Sequence, residues 1–300
     1  MTRSLLTIAL SAALLLATPG MARAQNAPPA PEAEVVVTAQ RTEDLVRTFV
    51  AEIAVAARGA NQLARWDRRI CPGLSGMKAR YARPVLDRIA QHAYEVGLDV
   101  GEPGCKPNVL VLVTTTPDEI TAQMVESNRD VLGWHAQRGQ VTEGRDGLRA
   151  FIDSDAPVRW WHVSNATNSD GASVGDSATG DAQAMRVDGA SRIHRPTRID
   201  FGGAFIVVDA NRISGLPLGA LADYLSMVAL AQLDPDTETS EFPTILNIFN
   251  GLVGGTPAFS TLTDWDLGYL RGLYAVQRSG DAQSQQEDIV NQMTRSITSR

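Results

Sequence analysis

The chain has 300 residues, 44% of them hydrophobic, with 27 basic against 34 acidic side chains and a net charge of −7. An acidic chain without a basic run argues against nucleic acid and anionic membrane surfaces as partners. Only two cysteines, Cys71 and Cys105, are present.

The first 24 residues read as a signal peptide. Arg3 gives a positive start, Leu5 to Ala17 form an apolar run, and Ala22-Arg23-Ala24 supplies the small-x-small cleavage pattern, so the mature chain is expected to begin at Gln25. That run is too short to span a bilayer comfortably, and Pro19-Gly20 interrupts it. No other segment is long and apolar enough to cross a membrane. Losing Arg3 and Arg23 with the signal moves the net charge from −7 to −9. The expected destination is the periplasm or the medium. In such an oxidising compartment an isolated Cys71/Cys105 pair is most simply one disulfide. Closing that span stabilises a fold by about 4 kcal/mol in the chain-entropy picture. A redox role has no CxxC pattern or adjacent His to support it.

Residues 25 to 42 form an expected disordered linker, Pro-rich at first, with a β-prone run Val35-Val36-Val37-Thr38. From Glu43 the apolar positions Leu45, Val46, Phe49, Val50, Ile53 and Ala57 recur at helical spacing. A β-prone segment from Arg65 to Cys71 precedes a helix over about 79–96, which Gly97 is placed to end. Residues 108–114 are an all-apolar strand of the kind covered on both faces. Strand, helix and strand in succession predict a crossover unit. Pro117-Asp118-Glu119 opens the next helix, expected to reach about Trp134. Residues 157–163 form a strand rich in aromatics, and residues 164–191, dominated by Ser, Gly, Asp, Ala and Asn, a mobile loop. Residues 199–209 resume as a strand. Helices follow over about 217–233, 242–249, 264–274 and 285–297. The expectation is one α+β domain over residues 43–300, with a mixed sheet and a helical C-terminal third.

Glu34-Val35-Val36-Val37-Thr38-Ala39 resembles the TonB box of TonB-dependent outer-membrane receptors, an acid followed by Val-Val-Thr-Ala near the mature N-terminus. The resemblance implies a docking strand that adds to a partner's sheet edge. The chain is too short and too helical for a receptor barrel. The other reading is a first strand or plain linker.

The C-terminal third carries a second resemblance. Residues Leu221 to Leu230 form a helix just after a strand, then come Thr244 to Phe249, Leu262-Thr263-Asp264-Trp265-Asp266 and Tyr269 to Tyr274. This order resembles zinc metallopeptidases of the metzincin type, and so a zincin-like fold. There a strand feeds a helix reading His-Glu-x-x-His-x-x-Gly-Leu. Laid on it, Ala222 and Asp223 take the first His and Glu places, Ser226 the second His, and Ala229-Leu230 the Gly-Leu. Zinc needs three N, S or O donors, which these residues do not supply. The resemblance therefore implies a scaffold without metal or cofactor. The bland alternative is an amphipathic helix burying Leu221, Leu225, Val228 and Ala229. Segments 70–73, 104–105, 158–161 and 223–234 are also similar to a secreted family of uncharacterised proteins from sphingomonad-like bacteria, which implies no activity.

The four histidines, His92, His135, His162 and His194, include no pair three or four residues apart, so no helix presents a paired-imidazole metal face. The carboxylates Asp209, Asp223, Asp264 and Asp266 are candidates for acid/base work if brought together. Asp264 reads more simply as a helix N-cap. The expected function is non-catalytic binding of a protein or ligand in the cell envelope. The alternative is a hydrolase built from distant Asp and His residues.

Overall fold

The structure, a computed structural model, describes residues 31–135, 139–168, 171, 173, 197–250 and 259–298. The expected signal peptide, the linker as far as Ala30, His194 and most of the loop 164–191 lie outside the described residues. The chain divides into two units, Met1–Thr38 and Ala39–Arg300. The second carries the sheet and the core.

Its elements run α1 (Pro31–Ile53, which begins in the first unit), β1 (Pro72–Ser75), α2 (Ala79–Glu95), β2 (Val109–Thr114), α3 (Pro117–Ser127), β3 (Gln140–Val141) and α4 (Gly144–Asp153). Then come β4 (Val158–Asn168), β5 (Thr197–Asp209), α5 (Leu218–Leu230), a 3₁₀ turn (Ile245–Phe249), α6 (Asp264–Ala275) and α7 (Ala282–Thr298). The fold is α+β with a five-stranded mixed sheet in the order β1-β2-β5-β4-β3. The first three strands in that order are parallel, while β4 runs antiparallel to β5 and β3 antiparallel to β4.

Successive strand residues face opposite sides of a sheet, and β2 shows it. Val109 and Val111 enter the main core, and Leu112 packs against a smaller cluster of Val125, Leu132, Leu148, Phe151, Trp161, Val163 and Val207. The helices α3 and α4 cover the sheet at that smaller cluster, with Val125 from α3 and Leu148 and Phe151 from α4. The main core draws on α1, α2, α5, α6 and α7. In α2 the buried Val85, Ile89 and Ala93 repeat every four residues, and Gly97 at φ +85° lets the chain leave the helix. Every residue of α5 from Ala220 to Leu230 is buried, so it is a core helix, more fully covered than the amphipathic helix of the alternative reading. Cys71 and Cys105 are joined, with 6.0 Å between their α-carbons. The bridge ties the start of β1 to the approach of β2.

Other expectations change. The helix that was to open at Glu43 begins at Pro31, so Val35–Thr38 are helical, not extended. Helix-favouring Glu32, Ala33, Ala39, Gln40 and Arg41 flank that run, and adding residues to an existing helix is cheap once it is nucleated. Residues 65–71 make only isolated bridges, Arg65 to Asp200 and Ile70 to Val100. Arg65 instead donates to the carbonyls of Leu273 and Val276 at the end of α6, which holds this stretch by a side chain rather than a ladder. Residues 164–168, expected to be loop, continue β4, because their polar groups find partners in β5: Thr167 donates to Asp200 at 2.5 Å. Neither β3 nor α4 was foreseen. Gly147 in α4 is tightly packed, since a β-carbon there would stand 2.4 Å from the Glu143 β-carbon and 3.0 Å from the Trp161 ring.

Candidate functional site

The four candidate carboxylates do not form one site. Asp223 on α5 is fully buried, and its oxygens are occupied from three directions. Arg88 of α2 donates Nε to Oδ1 at 2.5 Å and a terminal nitrogen to Oδ2 at 3.0 Å. One helical turn on, His92 Nε2 lies 2.8 Å from Oδ1, and the Leu262 amide donates to Oδ2 at 2.9 Å. Burial alone raises a carboxyl, but here the hydrogen bonds from His92, Arg88, Thr261 and Leu262 outweigh it and hold Asp223 well below the usual range. The group is a clamp between α2, α5 and the 261–262 segment that is charged at neutral pH. His92 also reaches Glu95 Oε2 through Nδ1 at 3.0 Å, so both its ring nitrogens are engaged.

Asp266 is a second buried clamp. Thr263, not Asp264, is the N-cap of α6, and Thr263 and Asp266 form a reciprocal capping box. The swap follows from side-chain reach: the Thr263 hydroxyl accepts from the Asp266 amide, while Asp266 Oδ2 accepts from the Thr263 amide at 2.8 Å. Asp266 also accepts from the Thr244 hydroxyl at 2.5 Å and the Ile245 amide at 2.9 Å. Burial nonetheless pushes its carboxyl up, with these hydrogen bonds opposing. Asp264 is exposed in the first turn of α6. Asp209 closes β5 and accepts from the Asn211 amide at 2.9 Å. His135 is exposed and lies 3.0 Å from Asp130. Among the described residues no three His, Cys, Asp or Glu side chains are arranged to hold a metal ion.

A different place has the geometry of a binding site. A cleft of about 650 Å³ runs beside β4, lined by Arg159, Trp160, Trp161, His162 and Ser164. Neighbouring strand residues point to opposite faces, so a cleft that touches four in a row must lie along the strand's edge. One lip is α4 with the residues either side of it, from Thr142 to Asp155; the other is Val55–Arg58 together with Gln232–Asp236. The edge is open because β3 covers only Ser164 and Asn165 of β4. Among the described residues no strand continues the pairing past Ser164 towards Val158.

The backbone direction at this edge follows from one hydrogen bond. The Asp209 amide donates to the Pro157 carbonyl at 2.9 Å, so residue 157 turns its main chain towards β5. Antiparallel pairs alternate. Arg159, Trp161 and Val163 therefore also face β5, while Val158, Trp160 and His162 present their amides and carbonyls outward. The Ala166 amide, of the same parity, donates outward to Gly139 at 2.7 Å beside β3.

Side chains fix the walls. Trp160 Nε1 donates to the Leu233 carbonyl at 3.1 Å and Trp161 Nε1 to the Leu132 carbonyl at 3.0 Å, which anchors the two indoles on opposite faces. His162 stacks on Phe201 with ring centres 4.7 Å apart, and its Nε2 lies 2.9 Å from the Val228 carbonyl. A carbonyl only accepts, so Nε2 carries the proton and Nδ1 holds a lone pair. Burial pushes this ring down to about 4, with the Val228 bond partly opposing, and it is neutral near pH 7. Two further lining residues hold buried atoms without a partner, Gln232 Oε1 and Arg159 Nε. A buried, unpaired donor and acceptor in one cleft are costly unless something else satisfies them.

None of the four candidate carboxylates lines this cleft. Sequence reasoning missed it because its walls come from four separate stretches. The available signal was Trp160-Trp161-His162, consecutive ring side chains in one strand, which burial on a single face does not explain. The segment Glu34–Ala39 is helical, whereas strand addition needs an extended chain. No helix is long and apolar enough to cross a membrane among the described residues. Comparison of the chain with models of protein families, with curated proteins and with solved structures returned no match.

Proposed function

We propose that the chain is a non-catalytic binding protein of the bacterial cell envelope, holding an extended peptide segment along the open edge of β4. The observation that carries this reading is the row of outward amides and carbonyls at Trp160 and His162, which line the cleft, continued along β4 by Val158. Main-chain pairing would supply affinity, and the two lips would meet alternate side chains of the guest. A guest running antiparallel to β4 would prolong β3 in the same line. Gln232 Oε1 and Arg159 Nε offer one acceptor and one donor, which suits a peptide that brings both.

The export signal supports an envelope location, and the disulfide is compatible with it. A degenerate protease-like scaffold is in keeping with β5 leading to α5 and with Asp223 turned inward onto Arg88 and His92. Blocked hexapeptides alternating Val and Thr, with two positions varied among Lys, Gln and Glu, make a direct test by calorimetry. Some of the set should bind the mature protein. N-methylation of every second peptide amide in a binder should abolish binding in one phase of the alternation and spare it in the other. A set in which nothing binds, or in which both phases are tolerated, would defeat the proposal.

A further inference from the structure

We infer that the guest of this cleft is a basic segment, an extended peptide with Lys or Arg in positions that meet the lips. The inference rests on the peptide-binding reading above and names its class of partner. Six exposed carboxylates line the cleft: Glu143, Asp146, Asp153 and Asp155 on the α4 lip, Asp234 and Asp236 on the other. Because strand side chains alternate, both faces of an added strand meet acids.

The balance of charge is one-sided. The lining cations are Arg58 and Arg159 alone, and Arg159 is 4% exposed, spent on the Ile152 carbonyl and Asp118. Its Nε, nine-tenths buried with the rest of the side chain and unpartnered, is a donor for a guest carbonyl rather than a repelling surface charge. His162, neutral at pH 7, adds no positive charge and offers Nδ1 as an acceptor. Among the described residues Asp153, Asp155, Asp234 and Asp236 have no ion-pair partner, although Asp234 accepts from the Asp236 amide at 2.9 Å.

The chain already shows what these acids take. Arg58, on the lip opposite α4, gives its amide to Glu143 Oε1 at 2.9 Å and sets its guanidinium 3.9 Å from Asp146. The contact to Glu143 is a main-chain one, while the guanidinium beside Asp146 sets a cation of one lip against an acid of the other, as a basic guest would. Indole walls on either face of β4 beneath an acidic rim suit the long methylene stems of Lys and Arg, whose charged ends stay in water.

The test compares three otherwise identical blocked hexapeptides of alternating Val and Thr carrying two Lys, two Gln or two Glu. Binding to the mature protein is read by calorimetry at 50 and 300 mM salt. The Lys peptide should bind about tenfold or more tighter than the Gln peptide, lose that advantage at the higher salt, and leave the Glu peptide weakest. In the doubly substituted Asp155→Asn, Asp236→Asn protein, whose altered side chains are exposed, the Lys peptide should weaken about threefold to tenfold and the Gln peptide should not change. Arg58→Ala keeps the main-chain bond to Glu143 but removes the guanidinium beside Asp146, and so one positive charge from the lips, which should tighten the Lys peptide. Equal binding of the Lys and Gln peptides overturns the inference and leaves the peptide-binding reading standing. Binding of none of the three overturns both.

Discussion

Replacing Asp223 by Asn separates a structural carboxylate from a chemical one. In the native protein both oxygens accept hydrogen bonds from Arg88, and Oδ1 faces His92 while Oδ2 faces the Leu262 amide. An amide must turn its NH₂ towards one of these sets, so donors meet donors and the countercharge to Arg88 vanishes. Breaking a buried ion pair from one side costs about 3–5 kcal/mol. The Arg88 side chain is 34% exposed and can turn to water, which places the cost at the lower end, about 3 kcal/mol. For a unit of this size that is a fall in melting temperature of about 6–12 °C. The sign with pH also follows. A carboxyl held low when folded contributes stability above its unfolded value near 4, and loses it as pH falls through the folded value. The gap between parent and variant in circular-dichroism melts should therefore be widest at pH 7 and shrink below about pH 4. Carboxylates kept for chemistry are commonly a burden on stability, and removing them is neutral or stabilising. A variant that melts with the parent at pH 7, or above it, would refute the clamp.

Three further outcomes follow from the same physics. Replacing Cys71 and Cys105 together by Ser should lower stability by about 4 kcal/mol in urea unfolding, and the native protein should show no reactive thiol. Thr263→Ala removes the cap of α6 and one donor to Asp266, with a cost of about 1–2 kcal/mol on the same scale. His162 is held near 4 when folded against about 6.5 unfolded, so the unfolded chain takes up a proton that the folded one refuses. Stability should fall as pH drops from about 6.5 to about 4, by up to about 3 kcal/mol, and His162→Gln should flatten that part of the urea-midpoint profile.

The parts of the fold that sequence made legible are those where local pattern and tertiary role agree. The β2 run is apolar because both sides of it are packed, and α2 repeats Val85, Ile89 and Ala93 because one face meets the core. The disulfide was readable from compartment and count. Local rules failed where a distant partner decides the outcome. The helix α4 opens with Gly144-Arg145-Asp146-Gly147, in which only Arg145 favours a helix, and the space at Gly147 is limited by Glu143 and by the distant Trp161. Thr263 displaces Asp264 as cap because Asp266 reciprocates, a relation between three residues rather than a property of one. Asp223 was visible as an unusual acid in an apolar helix, but its meaning lies in Arg88 and His92, more than 130 positions earlier. The cleft was the least legible feature. It depends on β3 ending at Val141, which leaves most of β4 without an outer neighbour.

Backbone amide exchange, followed by NMR with the Lys-bearing hexapeptide at saturation, reads strand addition along β4 residue by residue. An added strand should slow exchange at Val158, Trp160 and His162 at least tenfold, while Arg159 and Trp161, already bonded to β5, stay as they are. Exchange unchanged at the three outward amides when the peptide is bound would rule out an added strand on this edge.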